Sequence, residues 1–353
     1  RGKTRVNFDY KFQGTWKKDG YKMLTGDEYT MMLKEAYFNP TQRDVASNIV
    51  ELMYLQNRPA YYYNYNRNTD WVSAVHQFGQ QHQFGVNVSG GGEKATFRVS
   101  ANYNNQTGHI IKQFYNRLTT RLALDYWVSD RIKFSSDFSM TYSQNKRPVG
   151  GGGILGKAYN AMPNMSITRW EAVPGADGLL NPYDTGEWYI MPPAAASGLS
   201  TMLLPNNSGL TSYYLADMVS NGNPVANSYE SKDISSSYTI IPQFSVEYKF
   251  LGTQDDETQL NYTGSVYMNA TTNSGNTYFP HSLTSDMWDA GSGIDLTSNY
   301  ESKNLAFNTR HQFVFKPKFE NDAHSFQIML RGELNTNNSS TQSLSSSGIN
   351  GGI

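Results

Sequence analysis

Hydrophobic and polar residues alternate strictly along several long segments of the chain. Between Arg5 and Gln13 every second residue is apolar, and the charged residues occupy the positions in between. Period two over this length predicts a β-strand with one apolar and one polar face. The pattern recurs in eight further segments, which together predict nine strands: 84–88, 97–103, 118–128, 132–142, 238–250, 260–268, 305–315 and 326–334 in addition to the first.

The charged residues inside these segments are confined to the polar parity. A charge that faces lipid at the bilayer midplane costs about 2–4 kcal/mol, so this exclusion is expected of a membrane wall. A water-soluble β-sandwich also keeps charge off its buried face, and alternation alone leaves both architectures open. His311 is the only titratable residue on the apolar parity of these segments. The fourteen charged residues are Arg5, Asp9, Lys11, Arg98, Arg121, Asp125, Lys133, Asp137, Glu247, Lys249, Arg310, Lys316, Arg331 and Glu333.

Strand length and connection length favour the membrane barrel over the sandwich. Soluble strands usually have about five or six residues, whereas about ten residues tilted by about 45° cross an outer-membrane apolar band. Several segments reach that length, and aromatic residues occupy the ends of their apolar faces, as in interfacial girdles. Predicted connections also alternate between short turns and long loops, the arrangement of periplasmic turns and extracellular loops. The long loops are expected at 14–81, 104–113, 144–235 and 270–303.

The first long loop contains a helix signal. Thr25-Gly26-Asp27-Glu28 has the spacing of a capping box, and helical periodicity follows until Asn39-Pro40. We therefore expect one short amphipathic helix on the barrel rim. The Tyr- and Asn-rich run from Tyr61 to Asn68 and the Ser- and Asn-rich tail from Asn335 to Gly352 are low-complexity and polar, and the tail is expected to be a mobile loop.

Composition narrows the function classes. The 353 residues are 38% hydrophobic, 14% aromatic and only 17% charged, fewer charges than a soluble domain usually has. A formal net charge of −1 gives no basic face for nucleic acid, and the absence of cysteine excludes disulfides and thiolate metal sites. No apolar stretch is long enough for a transmembrane helix.

Three stretches resemble the first barrel hairpins of the SusC/RagA-type TonB-dependent transporters. They are Asn68-Thr69-Asp70-Trp71, then Val88 to Arg98 continuing to Gly108, and Asn116 to Phe134. The capped helix at Thr25 has a counterpart in that family, and the match covers residues 1 to about 165. Each motif alone is ordinary hairpin chemistry, and their combination carries the resemblance.

The resemblance implies a 22-stranded barrel in the outer membrane of a Gram-negative cell, closed by an N-terminal plug and energised by TonB. It also implies a SusD-like surface lipoprotein as partner. Because the chain opens on Arg1-Gly2-Lys3 and a barrel strand, we expect the plug to lie outside this sequence, and nine strands to be part of the barrel. The expected organisation is a first strand at 1–13, an outer loop with helix at 14–81, hairpins at 82–143, a long outer loop at 144–235, hairpins at 236–335 and a polar loop at 336–353.

Motifs for catalysis or metal binding are weak. Gly151 with Gly156-Lys157-Ala158 approaches a phosphate loop, but Ala158 replaces the Ser or Thr that binds Mg²⁺, and a flexible glycine hinge is favoured. The six histidines lack zinc spacing, and Asp177, Asp184 and Glu187 lack the spacing of a calcium loop, so surface histidines and turn residues are the preferred interpretations. We therefore expect no cofactor, no metal and no enzymatic activity.

Aromatic residues in the predicted outer loops are the candidate contacts for a substrate or a protein partner. Aromatic rings can stack on sugar faces or pack on another protein, although packing within the loops themselves is the simpler interpretation of any one of them. These residues are Trp170, Tyr183, Trp188, Tyr189 and Trp288.

The leading functional hypothesis is TonB-dependent import of a nutrient, with glycan as the first substrate class and peptide as the second. A passive porin and a soluble β-rich surface protein that binds glycan are the alternatives. Stable folding without detergent would favour the soluble protein.

Overall fold

The computed structural model describes residues 2–16, 20–41, 59–149, 153–190, 221–254, 256–283, 295–319 and 324–348. Eleven strands and five α-helices lie in these ranges. The strands are β1 Gly2–Thr15, β2 Gly79–Gly91, β3 Ala95–Thr107, β4 Phe114–Ser129, β5 Ile132–Arg147, β6 Thr168–Pro174, β7 Leu180–Trp188, β8 Lys232–Leu251, β9 Gln259–Phe279, β10 Leu296–Lys316 and β11 Ile328–Ser346. The helices are α1 Gly26–Thr41, α2 Pro59–Tyr65, α3 Trp71–Ala74, α4 Ile154–Asn160 and α5 Pro224–Glu230, with a 3₁₀ turn at His281–Leu283.

Nine strands form one antiparallel sheet in the order β1-β2-β3-β4-β5-β8-β9-β10-β11. These are the nine strands predicted from alternation, and each is paired with its neighbour in sequence apart from the β6–β7 excursion. Consecutive antiparallel pairing is the up-and-down connectivity of barrel walls. The fold is therefore the predicted all-β one, with β6 and β7 in a separate two-stranded sheet.

The register places the apolar and charged parities of all nine strands on opposite faces. One row of cross-strand partners runs through Val6, Val88, Val99, Leu122 and Phe138. The neighbouring charged row runs through Arg5, Ser89, Arg98, Ala123 and Asp137. We call the face of the first row the outward face and that of the second row the inward face. All fourteen charged residues named above share the inward face.

The strands are longer than the alternation predicted. β8 has 20 residues and β9 and β10 have 21 each, about 70 Å of extended chain in the longest two. Their additional residues lie at the long-loop end and are mostly polar. Four charged residues there have the outward parity, beyond the apolar part of the face: Lys146, Lys232, Glu301 and Lys303.

Three predicted loops are partly strand. The loop expected at 104–113 shrinks to 108–113, and that at 270–303 shrinks to 280–295. The expected polar loop at 336–353 is also wrong, because β11 pairs with β10 as far as Ser346, opposite Thr297. Backbone pairing satisfies the main chain whatever the side chains are, so a strand outside the lipid needs no apolar alternation. Residues 349–353 lie outside the described residues.

The predicted alternation of short and long connections is present except at 108–113, which is shorter than 252–258 and 317–327. The connections at one end of the sheet span 92–94, 130–131, 252–258 and 317–327, and those at the other end span 16–78, 108–113, 148–231 and 280–295. We call the second end the loop end. The prediction of one loop helix is incomplete, because α2 to α5 and the β6–β7 hairpin also lie there. The low-complexity Tyr- and Asn-rich run begins inside α2.

Candidate functional site

The buried hydrophobic core of the described residues lies in the loop-end connections and outside the nine-stranded sheet. Its members come from α2, α3, α4, α5 and the segments beside them, and we call this assembly the cap. A soluble sandwich would have its core between sheets, so this location distinguishes the two architectures. The cap core comprises Tyr65, Trp71, Val72, Val75, Ile110, Ile154, Ala158, Ala161, Met162, Met165, Tyr189 and Val225.

The outward face of the sheet remains exposed. Phe8 is 67% exposed, and Val86, Leu122 and Phe244 are also among the exposed large apolar residues. Within the described ranges the only other sheet is the β6–β7 hairpin, which is too small to cover this face. An apolar surface of this extent requires a nonaqueous neighbour.

Aromatic residues border the apolar part of the outward face at both ends. At the loop end, the Tyr10 and Phe84 rings lie 5.0 Å apart, and the Tyr10 hydroxyl hydrogen-bonds Nδ1 of His82 at 2.9 Å. At the turn end, the Tyr262 ring lies 4.9 Å from Phe313. Rings of this kind with a polar tip are typical of the membrane–water interface.

His311, the titratable residue on the apolar parity, forms a hydrogen bond with Tyr262 on the adjacent strand. Its Nδ1 lies 2.7 Å from the Tyr262 hydroxyl, and its neighbour across the pair is Gly264. The hydrogen bond satisfies one ring nitrogen of a titratable side chain on the outward face.

The N-terminus of α3 holds together two of the loop-end connections, 16–78 and 148–231. The Asp70 carboxylate accepts a hydrogen bond from the Ser73 backbone N–H at 2.9 Å, the contact of an N-cap. The next residue, Trp71, is buried and donates its indole N–H to the Met162 carbonyl at 2.8 Å. The Asn68-Thr69-Asp70-Trp71 motif therefore attaches the 16–78 connection to the 148–231 connection.

The β6–β7 hairpin is attached to α2 through Asn64. The Asn64 side chain accepts from the Trp170 N–H at 2.9 Å and donates to the Trp170 carbonyl at 2.8 Å. The Arg67 guanidinium lies 4.0 Å from the centre of a Trp170 ring. Trp170 therefore makes a cation–π contact within the cap.

Tyr189 and Trp188 also pack within the cap. Tyr189 is only 7% exposed, and its ring meets Tyr65 edge-on at 5.6 Å. Trp188 donates its indole N–H to Glu230 at 2.9 Å and packs against Tyr229 at 5.3 Å. Packing within the loops was the simpler interpretation of these residues, and these contacts agree with it.

Tyr183 differs from the other hairpin aromatics. It is 57% exposed and lies opposite Glu171 in the pairing of β6 with β7. Leu179 and Leu180 at the hairpin turn are exposed as well. The structure thus places four of the five candidate aromatic residues in the β6–β7 hairpin or directly after it. Among these four, Tyr183 has the exposed ring. Trp288 lies outside the described residues.

The acidic residues of the hairpin stabilise its turns. The Asp177 carboxylate accepts from the Leu179 N–H at 3.1 Å, and Asp184 accepts from the Gly186 N–H at 3.0 Å. Gly178 and Gly186 have φ of +76° and +75°, which glycine adopts without strain. Among the described residues no three His, Cys, Asp or Glu side chains are grouped as metal ligands would be.

The near-match to a phosphate loop lies in a helix. Gly156 and Lys157 fall inside α4, which begins at Ile154. Partial burial lowers the pKa of Lys157. Gly156 therefore lies in a helical turn and not in the flexible hinge expected there, whereas Gly151 lies outside the described residues.

A groove with a volume of about 620 Å³ lies between α1 and the cap core. Apolar side chains of Leu24, Met32 and Met162 line it, together with Tyr21 and Tyr159. The capping box predicted at Thr25 is present, since Thr25 N–H donates to Glu28 at 2.9 Å and Glu28 N–H donates to Thr25 Oγ1 at 3.3 Å. Only the first turns of α1 are packed: Thr30 is buried, whereas Met31 and Met32 are exposed. Sequence patterns did not predict this groove, because its walls come from segments that are far apart along the chain.

The inward face carries a set of ion pairs between adjacent strands. Arg121 forms a bidentate ion pair with Asp137, and Arg147 Nε lies 2.7 Å from the Asp233 carboxylate. Lys133 lies 3.4 Å from Asp125. These pairs are largely exposed, so each contributes only about 0–1 kcal/mol to stability and they mark this face as aqueous.

No protein-family profile matches the chain. In the part of the chain that the structure describes, no helix is long and apolar enough to cross a membrane. Two curated proteins of Formosa agariphila are similar in sequence. TonB-dependent receptor P39 is 28% identical over 102 residues, which is 29% of this chain and 10% of that protein. TonB-dependent receptor P3 is 26% identical over 121 residues, 31% of this chain and 12% of that protein.

Solved structures share the fold over nearly the whole chain. The RagAB peptide transporter superposes with a TM-score of 0.56 at 16% identity, covering 98% of this chain and 36% of that chain. The RagAB peptide importer in the open-open state gives 0.55 at 16% identity over the same shares. This chain thus spans about a third of the solved chains and a smaller part of the curated receptors. Over the length that it covers, the chain has the sequence resemblance and the β-barrel fold of the SusC/RagA-type TonB-dependent transporters.

Proposed function

We propose that this chain forms part of the wall and outer rim of a TonB-dependent nutrient importer in the outer membrane of a Gram-negative cell. One observation carries the proposal: the outward face of the nine-stranded sheet is apolar and exposed, while the charges of the apolar-banded region lie on the inward face. Lipid on one side and water on the other explain both faces together. A soluble glycan-binding protein would leave the outward face without a partner.

The test of location uses the complete gene product in its native cell. We expect it in the outer-membrane fraction, resistant to alkaline extraction, with a gel mobility that changes on heating. Recovery as a monodisperse folded protein without detergent would refute the membrane assignment.

The test of mechanism is nutrient uptake with and without TonB. An importer loses uptake when TonB is removed, because the energy for opening comes from TonB. A passive porin, the alternative, continues to admit solute. Uptake that is unchanged without TonB, in cells where the protein reaches the outer membrane, would favour the porin.

The cap is proposed to meet the substrate and a SusD-like surface lipoprotein. The candidate contacts remain Trp170, Tyr183, Trp188, Tyr189 and Trp288, and among the described four Tyr183 has the ring most available to a partner. Tyr183→Ala should weaken recovery of the lipoprotein with the transporter. Tyr62→Ala is the matched control, since Tyr62 is an exposed tyrosine of α2 in the same cap.

A glycan is the proposed substrate class, and a peptide is the second candidate. The glycan proposal rests on the aromatic-rich rim, which offers rings for sugar stacking. The peptide candidate rests on the names of the RagAB neighbours, whose identity to this chain is only 16%. Growth of a deletion strain on single glycans and on peptides as sole nutrient separates the two classes.

A further inference from the structure

The outward face of the nine-stranded sheet carries Lys, Arg, Asp and Glu at its loop end only, within the strands that the structure describes. The residues of this parity are Lys146, Lys232, Glu301 and Lys303. Glu301 and Lys303 neutralise each other, because Lys303 Nζ lies 3.0 Å from the Glu301 carboxylate. Lys146 on β5 and Lys232 on β8 therefore carry the net charge of this face, and we call them the outward lysine pair.

The two lysines are neighbours on adjacent strands. Lys146 lies opposite Ile234, and Lys232 is two residues from Ile234 on β8. Residues in this diagonal relation have Cα atoms about 7–8 Å apart, so both ammonium groups can reach one point between them. β4 and β9 flank the two strands, and neither lysine lies at an edge of the sheet. The neighbouring strands are thus all present in this chain, and the bore and its contents lie on the opposite face.

Aromatic rings hold two ammonium groups at this place. Lys146 Nζ lies 5.9 Å from the ring centre of Phe114, the residue directly opposite Lys146 on β4. A third lysine, Lys112, has its Nζ 4.2 Å from the ring centre of Tyr229. Tyr229 precedes Lys232 by three residues, a span of at most about 11 Å. Both contacts have the distance of cation–π interactions, which hold an ammonium group and leave its charge in place.

No carboxylate of the described residues lies within ion-pair distance of the outward lysine pair or of Lys112. The nearest acidic residues have other partners. Glu230 accepts an indole N–H, and Asp233 pairs with Arg147 on the inward face. Asp295 is only 4% exposed and accepts hydrogen bonds within the connection between β9 and β10. The outward lysine pair therefore presents uncompensated positive charge.

The pair lies just beyond the apolar band, near the height of lipid headgroups. Tyr142 and Tyr238 lie opposite each other and mark the loop-end border of the band on β5 and β8. Lys146 is four residues beyond Tyr142, and Lys232 is six beyond Tyr238, about 13 Å and about 20 Å along the strands. At a tilt of about 45° these lengths correspond to heights of about 9 Å and about 14 Å. Because lysine side chains extend toward the membrane surface, their ammonium groups reach the headgroup layer.

We propose that the outward lysine pair, with Lys112 beside it, binds the phosphate groups of a lipid in the outer leaflet of the outer membrane. The inference rests on the membrane location in the proposed function. Phosphate oxygens accept charge-assisted hydrogen bonds from ammonium groups, and basic residues beside a membrane-spanning segment bind anionic headgroups in this way. The apolar outward face below the pair offers a surface for the acyl chains of the same lipid. Free phosphate has the charge but lacks these chains.

The experiment measures, by native mass spectrometry, the binding of lipid A with two phosphate groups to the complete protein in detergent. The same lipid without its phosphates is the comparison, and the wild type should bind it about tenfold more weakly or less tightly still. Lys146→Gln with Lys232→Gln should weaken binding of the phosphorylated lipid about tenfold. Lys249→Gln with Lys316→Gln is the matched control, because it removes the same charge from the inward face, and it should change binding less than about twofold.

A second double variant keeps the charge. Lys146→Arg with Lys232→Arg should bind the phosphorylated lipid as the wild type does, because arginine also binds phosphate. If the glutamine variant of the pair does not fold, the comparison of the two lipids on the wild type still tests the inference.

Inorganic pyrophosphate, added at the same concentration as the lipid, distinguishes a lipid site from a site for free phosphate. The lipid should remain bound, because pyrophosphate cannot replace its acyl contacts. Displacement of the lipid would overturn the inference, as would equal binding of the two lipids by the wild type or equal losses in the two glutamine variants. Failure of the import proposal is recognised separately, since uptake and membrane fractionation do not depend on the lipid measurement.

Discussion

The indole N–H of Trp71 donates to the main-chain carbonyl of Met162 across a separation of 91 residues, at 2.8 Å and with both side chains buried. This contact holds α3 against the segment that follows α4. It joins two connections that leave different hairpins, and so it contributes to the rigidity of the outer rim.

Trp71→Phe should loosen the cap by about 1–3 kcal/mol, because a six-membered aromatic ring is retained while the pyrrole part of the indole is lost and the buried carbonyl of Met162 loses its donor. Hydrogen exchange of the segments 59–75 and 154–167 measures the effect. Trp188→Phe is the control, since its indole bonds the exposed side chain of Glu230 and should cost less. Equal protection in the two variants would argue against a structural role for the Trp71 contact.

Leu122→Arg should reduce stability by about 2–4 kcal/mol, because Leu122 faces outward in the middle of the apolar rows and the charge would meet lipid. Ala123→Arg is the matched control one residue further along, because residue 123 belongs to the inward face. The measurement is the fraction of the complete protein that keeps its folded, heat-modifiable form in increasing denaturant. Comparable losses at both positions would contradict the assignment of faces.

Acid should loosen the connection between β9 and β10 through Asp295, which is 4% exposed. The His281 backbone N–H donates to its carboxylate at 3.0 Å, and this contact lowers the pKa of Asp295 below its ordinary value. A carboxylate with a lowered folded-state pKa contributes stability that is complete above its unfolded-state pKa and is lost as the pH falls through the folded-state value.

We therefore expect the contact between His281 and Asp295 to open at a pH below the ordinary titration range of aspartate, about 3.9. Hydrogen exchange as a function of pH measures this opening. Asp295→Asn should already be loosened near neutral pH and should lack the acid step. An acid step that persists in the asparagine variant would show that another group is responsible.

Thr25→Ala should fray the start of α1, at a cost of about 0.5–2 kcal/mol to the helix, because the hydroxyl that accepts from the Glu28 N–H is removed. The same box lowers the pKa of Glu28, first through the Thr25 backbone N–H. Thr25→Ser retains the hydroxyl and should behave as the wild type. The measurement is exchange protection of residues 26–32, and a loss of protection in the serine variant would point away from capping.

Sequence patterns identified the elements whose environment imposes a period. Lipid on one face and water on the other require alternation, so the spacing of apolar residues such as Val6, Leu122 and Phe244 was sufficient to predict their strands. The capping box at Thr25 could also be predicted from the sequence, because it is a contact between residues three positions apart. The predicted strand ends were less accurate, since Thr297 and Ser346 pair through backbone atoms outside the apolar zone and leave no signature in side chains.

The helices and the hairpin of the cap could not be predicted from the sequence. α2, α4 and the β6–β7 hairpin are short elements stabilised by contacts such as that of Asn64 with Trp170, which are 106 residues apart. The aromatic residues could be singled out as candidates from the sequence, but their environments differ: Tyr189 is enclosed while Tyr183 is open.

The sequence by itself thus determined the wall: nine strands, their two faces and the confinement of charge to one of them. Only the tertiary structure decided the outer rim. The physical reason is distance along the chain. Alternation is a local property of each strand, whereas the cap core depends on residues brought together from separate connections.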